Sequence, residues 1–115
     1  MESDKLNLNK DFRRVYGRGK SFVHPGLVTY VLPNRLGAVR YGITTGKKVG
    51  CAVMRNRARR VIEAAFRGCL PSISCDGADI VFVARSKTPF FKSTEIQSVM
   101  YKHLKDSGII LGEEQ

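Results

Sequence analysis

The chain has 115 residues, a mass of 12.8 kDa and 43% hydrophobic residues, which gives one domain (residues 1–115) with enough chain for a core and too apolar for disorder. Twenty Lys and Arg against ten Asp and Glu leave a net charge of +10 and a pI near 10.0, so the partner to expect is a polyanion, either nucleic acid or an anionic membrane surface. No apolar run is long enough to span a bilayer, Met1-Glu2-Ser3-Asp4-Lys5 does not begin a signal peptide, and Cys51, Cys69 and Cys75 form neither a C-x-x-C pair nor an even set; reduced thiols and a cytoplasmic location are expected.

Residues 9–16 read as a short helix, capped by Asn7 or Asn9 and ended by Gly17, with Leu8, Phe12, Val15 and Tyr16 on one face. Residues 20–23 begin a strand, His24-Pro25-Gly26 is turn chemistry, and residues 27–32 form a β-branched and aromatic strand. After the turn at 33–37, residues 39–45 alternate Val39, Tyr41 and Ile43 against Arg40, Gly42 and Thr44, a strand with two unlike faces.

Residues 46–50 are a glycine-flanked loop carrying Lys47 and Lys48, and residues 52–67 have helical periodicity. Met54, Ala58, Val61, Ile62 and Ala65 fall on one arc, and Arg55, Asn56, Arg59, Arg60, Glu63 and Arg67 on the other, with Arg57 at the boundary. Gly68 ends the helix and Pro71 blocks a restart. Ile80-Val81-Phe82-Val83-Ala84 is apolar on both faces, as a covered central strand must be. Thr94 and Gln97 form a capping box for a last helix whose stripe is Ile96, Val99, Met100, His103 and Leu104, closed by Gly108. The order is α-β-β-β-α-β-α, in one layered α/β domain.

Counted along the chain, residues 1–20 carry +3, 21–46 carry +2, 47–67 carry +6, 68–92 carry +1 and 93–115 carry −2. The charge is therefore focused on one loop and helix, where seven cations face Glu63 alone and an external anion must offset their repulsion.

Several chemical motifs fail. Gly42-Ile43-Thr44-Thr45-Gly46-Lys47-Lys48 has three residues between its glycines and Lys48 where a phosphate-binding loop needs Ser or Thr. Gly17-x-Gly19 is followed by Phe22 where a dinucleotide fingerprint needs its third glycine, and neither an RNP aromatic box nor a G-x-x-G clamp is present. His103 sits on an apolar stripe as a core histidine, His24 sits in a turn, and Glu63, Asp76, Asp79 and Glu95 have no spacing for two-metal chemistry. No catalytic residue is assigned on the chain itself. A DNA-reading helix would need more Asn or Gln than Asn56, and the apolar arc is too small and Ala-rich, without Trp, for a membrane-surface helix.

The segment from Lys47-Lys48-Val49-Gly50 through Arg55-Asn56-Arg57-Ala58-Arg59-Arg60 closely resembles the signature of the bacterial ribonuclease P protein subunit. Asp11-Phe12-Arg13-Arg14-Val15-Tyr16 followed by Gly19 resembles that family's first helix, Arg40-Tyr41-Gly42-Ile43-Thr44 the strand before its Lys-Lys loop, and Asp79-Ile80-Val81-Phe82-Val83-Ala84-Arg85 its last strand. About residues 8–108 are covered. The chain departs from the pattern at Glu63 and Ala64, where the family often has Arg-Glu, and Glu63 is spaced to bridge Arg59 or Arg60.

The resemblance implies an α+β two-layer sandwich with a four-stranded sheet and a left-handed β-α-β crossover, where chain physics alone favours the right-handed one. It implies the small subunit of a ribonucleoprotein that removes the 5′ leader of precursor tRNA, with the active site and most of the Mg2+ on the RNA subunit and with no obligate protein partner. Lys47, Lys48, Arg55, Asn56, Arg57, Arg59 and Arg60 would then hold the catalytic RNA, a role that suits the bidentate fork of arginine and its fit to phosphate. Phe12, Tyr16, Tyr30 and Thr44 would hold the single-stranded leader, because aromatic rings stack on any base. Position alone would make Phe12 core, and Tyr16 and Tyr30 boundary residues with one wet edge. The alternative is a structural RNA-binding protein of ribosomal type, which shares the charge and the arginine helix but processes nothing.

Overall fold

The structure, a computed structural model, describes residues 3–6 and 9–110. The expected Asn7 cap and Leu8 lie outside the described residues, as do residues 111–115. Strands β1 (Ser3–Lys5), β2 (Lys20–His24), β3 (Leu27–Pro33), β4 (Val39–Thr44) and β5 (Ala78–Val83) form one mixed sheet in the order β1-β4-β5-β3-β2. The helices are α1 (Asn9–Arg18), α2 (Ala52–Cys69) and α3 (Ser93–Ser107). The predicted order of seven elements is present, and the four predicted strands form the body of the sheet. The addition is β1, a polar tripeptide that gave no alternation to read and pairs parallel to β4 through its backbone, with Ser3 beside Val39 and Lys5 beside Tyr41.

β5 is central, antiparallel to β3 and parallel to β4, and α2 makes the crossover that a parallel neighbour requires. Alternation then sorts the side chains. Val31, Val39, Ile43, Ile80 and Phe82 face α2 and α3, where Ala58, Ile62, Phe66, Met100 and Leu104 close the main core. Phe66 bridges helix and sheet, its ring 4.5 Å from Tyr41 and 5.5 Å from Phe82. Each fully buried side chain of this size contributes about 1.5–3 kcal/mol. Tyr30, Leu32, Val81 and Val83 face the other way, onto Phe12 and Val15 of α1. The expected two-layer sandwich is thus the sheet with α2 and α3, and α1 adds a partial third layer on the opposite face.

Element ends differ from expectation for local reasons. α1 runs through Gly17, which has no positive φ, to Arg18. α2 continues through Gly68 to Cys69, because Gly68 lies directly under α3: a Cβ there would be 2.3 Å from Gln97 Oε1. Pro71 instead falls in the 3₁₀ turn Leu70–Ser72 that follows. α3 starts at Ser93, and its capping contact is Glu95 Oε1 accepting from the Lys92 N–H at 2.8 Å, not the expected Thr94 and Gln97. Gly108 closes α3 in the left-handed conformation, as expected.

Candidate nucleic-acid interface

Two surfaces flank the sheet. The first lies on the α1 face. Asn9, Phe12, Arg13 and Tyr16 recur at helical spacing along α1 and, with Thr44 of β4, line one open cavity. Tyr16 Oη and Thr44 Oγ1 are 2.8 Å apart in a hydrogen bond, and the Tyr16 and Tyr30 rings meet edge to face with centroids 4.9 Å apart. Tyr16 stays 38% exposed where it lines this cavity. Phe12 is half-buried because β4 offers it Gly42: a Cβ on Gly42 would sit 2.5 Å from Phe12 Cζ. All four residues named from the resemblance therefore come together, Tyr30 by buttressing Tyr16 rather than by lining the cavity. Asn9 and Arg13 were missed, although their i, i+3, i+4, i+7 spacing with Phe12 and Tyr16 was readable.

α1 is held to this face by a charged knot. The fully buried Asp79 carboxylate accepts from Arg40 Nε at 2.9 Å, Arg40 Nη2 at 2.8 Å, Asn34 Nδ2 at 2.6 Å and Arg14 of α1. Arg14 also bonds Asp11 at 3.2 Å. Burial alone would raise the Asp79 carboxyl, but the hydrogen bonds from Arg40, Asn34 and Arg14 outweigh it and hold the group below the usual carboxylate range.

The second surface is α2 with the turn before it. Lys47 and Lys48 are exposed on a 3₁₀ turn (Lys47–Val49) anchored by buried Val49. Asn56, Arg57 and Arg60 are exposed and Arg55 half-buried, and among the described residues none of the three arginines has an ion-pair partner. Arg59 differs: its guanidinium donates to the Ile43 carbonyl at 3.4 Å and to Thr45 Oγ1 at 3.1 Å. It braces the end of β4, where Thr44 faces the cavity and Lys47 follows three residues later. The two surfaces meet at that strand end. Glu63 does not bridge Arg59 or Arg60; it pairs with Lys5 at 2.7 Å, because β1 brings that lysine beside α2. The hydrogen bond that Lys5 donates to the Glu63 carboxylate raises the lysine ammonium above its ordinary value.

The remaining titratable groups serve structure. His103 is buried, its Nδ1 2.8 Å from Thr29 Oγ1, and burial pushes its pKa down to about 4. His24 Nδ1 accepts the Gly26 N–H at 2.9 Å within its turn. All three cysteines are free. Burial pushes Cys69 up to about 11, whereas N–H groups of Met54 and Val53 lower exposed Cys51 at the start of α2. Among the described residues no three His, Cys, Asp or Glu side chains cluster to hold a metal, and Asp79 is saturated by its donors. No helix among the described residues is long and apolar enough to cross a membrane.

An arginine helix on one sheet face and a wet aromatic cleft on the other, in a strongly basic α+β domain, define a small RNA-binding protein. The family model for ribonuclease P matches residues 1–107. The chain is 39% identical over 109 residues to the ribonuclease P protein component of Clostridium botulinum, covering 95% of this chain and 98% of that protein. It is 46% identical over 92 residues to that of Clostridioides difficile, covering 78% and 81%. The structure of Staphylococcus aureus RNase P protein superposes with a TM-score of 0.80 at 29% identity, over 95% of this chain and 99% of that one. RNase P protein from Thermotoga maritima gives 0.77 at 27% identity, over 90% and 96%. The chain belongs to the ribonuclease P protein family. Its role is that of a ribonuclease P subunit in tRNA processing, and the ribosomal-type alternative is not favoured.

Proposed function

We propose that the chain is the RNA-binding, non-catalytic partner in ribonuclease P, with its two surfaces dividing the work. Lys47, Lys48, Arg55, Asn56, Arg57 and Arg60 grip phosphates and 2′-hydroxyls of the catalytic RNA subunit, with Arg59 holding the strand end between the surfaces. Phe12, Tyr16 and Thr44 hold the 5′ leader of precursor tRNA by stacking and by a polar edge, with Tyr30 buttressing Tyr16, which tolerates any leader sequence. The RNA subunit carries the chemistry and, with the substrate, holds the Mg2+; the protein contributes affinity and orientation of the scissile bond. The complex works in the cytoplasm, away from membranes and without an obligate protein partner.

The observation that carries this reading is the convergence on one open cavity of Phe12 and Tyr16 of α1 with Thr44 of β4, which lies 28 residues beyond Tyr16. The test is Tyr16→Ala in the reconstituted complex. Losing one stack weakens binding of long-leader precursor by about 1–3 kcal/mol and leaves leaderless tRNA unchanged. Equal losses on both RNAs would remove the leader from the cleft.

A further inference from the structure

The arginine helix has an aromatic neighbour that neither surface above uses. Phe90 is 76% exposed, at the end of the 3₁₀ turn Thr88–Phe90. Thr88 and Pro89 beneath it are buried. Thr88 Oγ1 donates to the Gly26 carbonyl at 2.7 Å and accepts from the Arg85 N–H at 2.8 Å. Phe91 beside it packs so closely over Gly26 that a Cβ there would lie 2.7 Å from its ring, and it also lines the groove next to Phe90. Phe90 is therefore an apolar ring presented to water by a pinned turn, not a side chain on a loose loop.

What surrounds it is basic. Phe90 lines a groove of about 610 Å³ with Arg57, Arg60 and Ala64 of α2 and with Lys92. Val53, which is 70% exposed, lies on the same stripe of α2, since positions 53, 57, 60 and 64 recur at i, i+4, i+7 and i+11. Among the described residues Arg57, Arg60 and Lys92 have no ion pair. The nearby Glu95 carboxylate is engaged with the Lys92 backbone. A protein partner with an apolar face would have to strip water from three unpaired cations around one ring. A nucleotide instead meets the ring with its base and the cations with its phosphates, and the groove volume lies in the range of small-ligand sites. The turn packs against α2, on the sheet face away from the leader cavity.

We propose that Phe90, Arg57, Arg60 and Lys92 form a pocket for one unpaired nucleotide of the RNA subunit, with Phe90 as the stacking platform; this rests on the assignment of α2 to RNA. The chain contains no Trp, so Phe90→Trp introduces one reporter at the site. Titrating this full-length variant with bacterial ribonuclease P RNA quenches its fluorescence as the complex forms. Phe90→Tyr and Phe90→Trp bind within about twofold of wild type, and Phe90→Ala and Phe90→Leu bind about tenfold more weakly, each with an unchanged salt slope because no charge is lost. If Phe90→Trp is not quenched and Phe90→Ala binds normally while Arg60→Ala is weakened, the pocket is wrong and the assignment of α2 stands. If Arg57→Ala and Arg60→Ala also bind normally, the assignment of α2 falls with it. If Phe90→Ala changes only self-association by light scattering, a second copy of the chain occupies the groove and the nucleotide proposal is overturned.

Discussion

Replacing Gly42 by Ala tests whether the sheet shapes the aromatic cavity proposed to hold the leader. Gly42 faces α1, and an added Cβ would lie 2.5 Å from Phe12 Cζ and 2.6 Å from Cε1. Carbon atoms pack at roughly 3.5–4.0 Å, so ring and methyl must separate by about 1 Å. The methyl cannot retreat, because Gly42 is a central residue of β4, paired with Val81. Phe12 must tilt into the cavity it shares with Tyr16 and Thr44. Overpacking of this kind costs about 1–3 kcal/mol. Gly42→Ala should lower the denaturation midpoint accordingly and weaken long-leader precursor binding, with RNA-subunit affinity unchanged. Combining it with Phe12→Leu, which shortens the ring side, should recover stability but not leader affinity. A Gly42→Ala protein of normal stability and normal leader affinity would refute the idea that this glycine makes room for Phe12.

The remaining predictions concern charge. Arg60→Ala removes an exposed guanidinium, so RNA-subunit affinity should fall and the slope of log K against log salt should shrink by about one unit; filter binding across a salt series reads both. Asp79→Ala leaves Arg14 and Arg40 without their shared carboxylate and loosens α1; urea denaturation should show a loss of about 3 kcal/mol, near the low end for a broken buried pair because both arginines reach water. His103 has a folded pKa of about 4 against 6.5 for the free group, so its contribution is complete above about pH 6.5 and is lost as the unfolded state takes up a proton between there and pH 4. Across that window stability should drop by about 3 kcal/mol, and His103→Gln should flatten the drop in melts taken at each pH. Asp79 adds its own loss lower down, since its carboxyl is held below the ordinary range: its contribution is present above the unfolded value of about 4 and fades as the pH falls through the folded one.

How much of this was legible in the sequence depends on what kind of signal each part leaves. The alternation Val39, Tyr41, Ile43 against Arg40, Gly42, Thr44 gave the two faces of β4 directly, since side-chain period in a strand is fixed at two. The arc of Ala58, Ile62 and Ala65 gave the buried side of α2 in the same way. The polar strand β1 left no pattern, because an edge strand is held by backbone pairing, and with it went the true partner of Glu63. Gly17 and Gly68 read as helix ends, yet Gly68 is there to let α3 approach; a packing requirement and a terminator look alike in one dimension. The cleft residues were reached through resemblance, since Phe12 by itself reads as core and its open edge depends on Gly42 thirty positions away. Phe90 belongs to no periodic run, and only the burial of Thr88 and Pro89 beneath it marks it as a presented ring.

The central claim is that this chain is the partner of a catalytic RNA in precursor tRNA cleavage. Its most direct test is cleavage of precursor tRNA at low magnesium by the protein alone, by bacterial ribonuclease P RNA alone, and by the two together. Activity confined to the mixture is the predicted result. Cleavage by the protein alone, or a mixture that binds tightly yet cleaves no faster than the RNA, would contradict it.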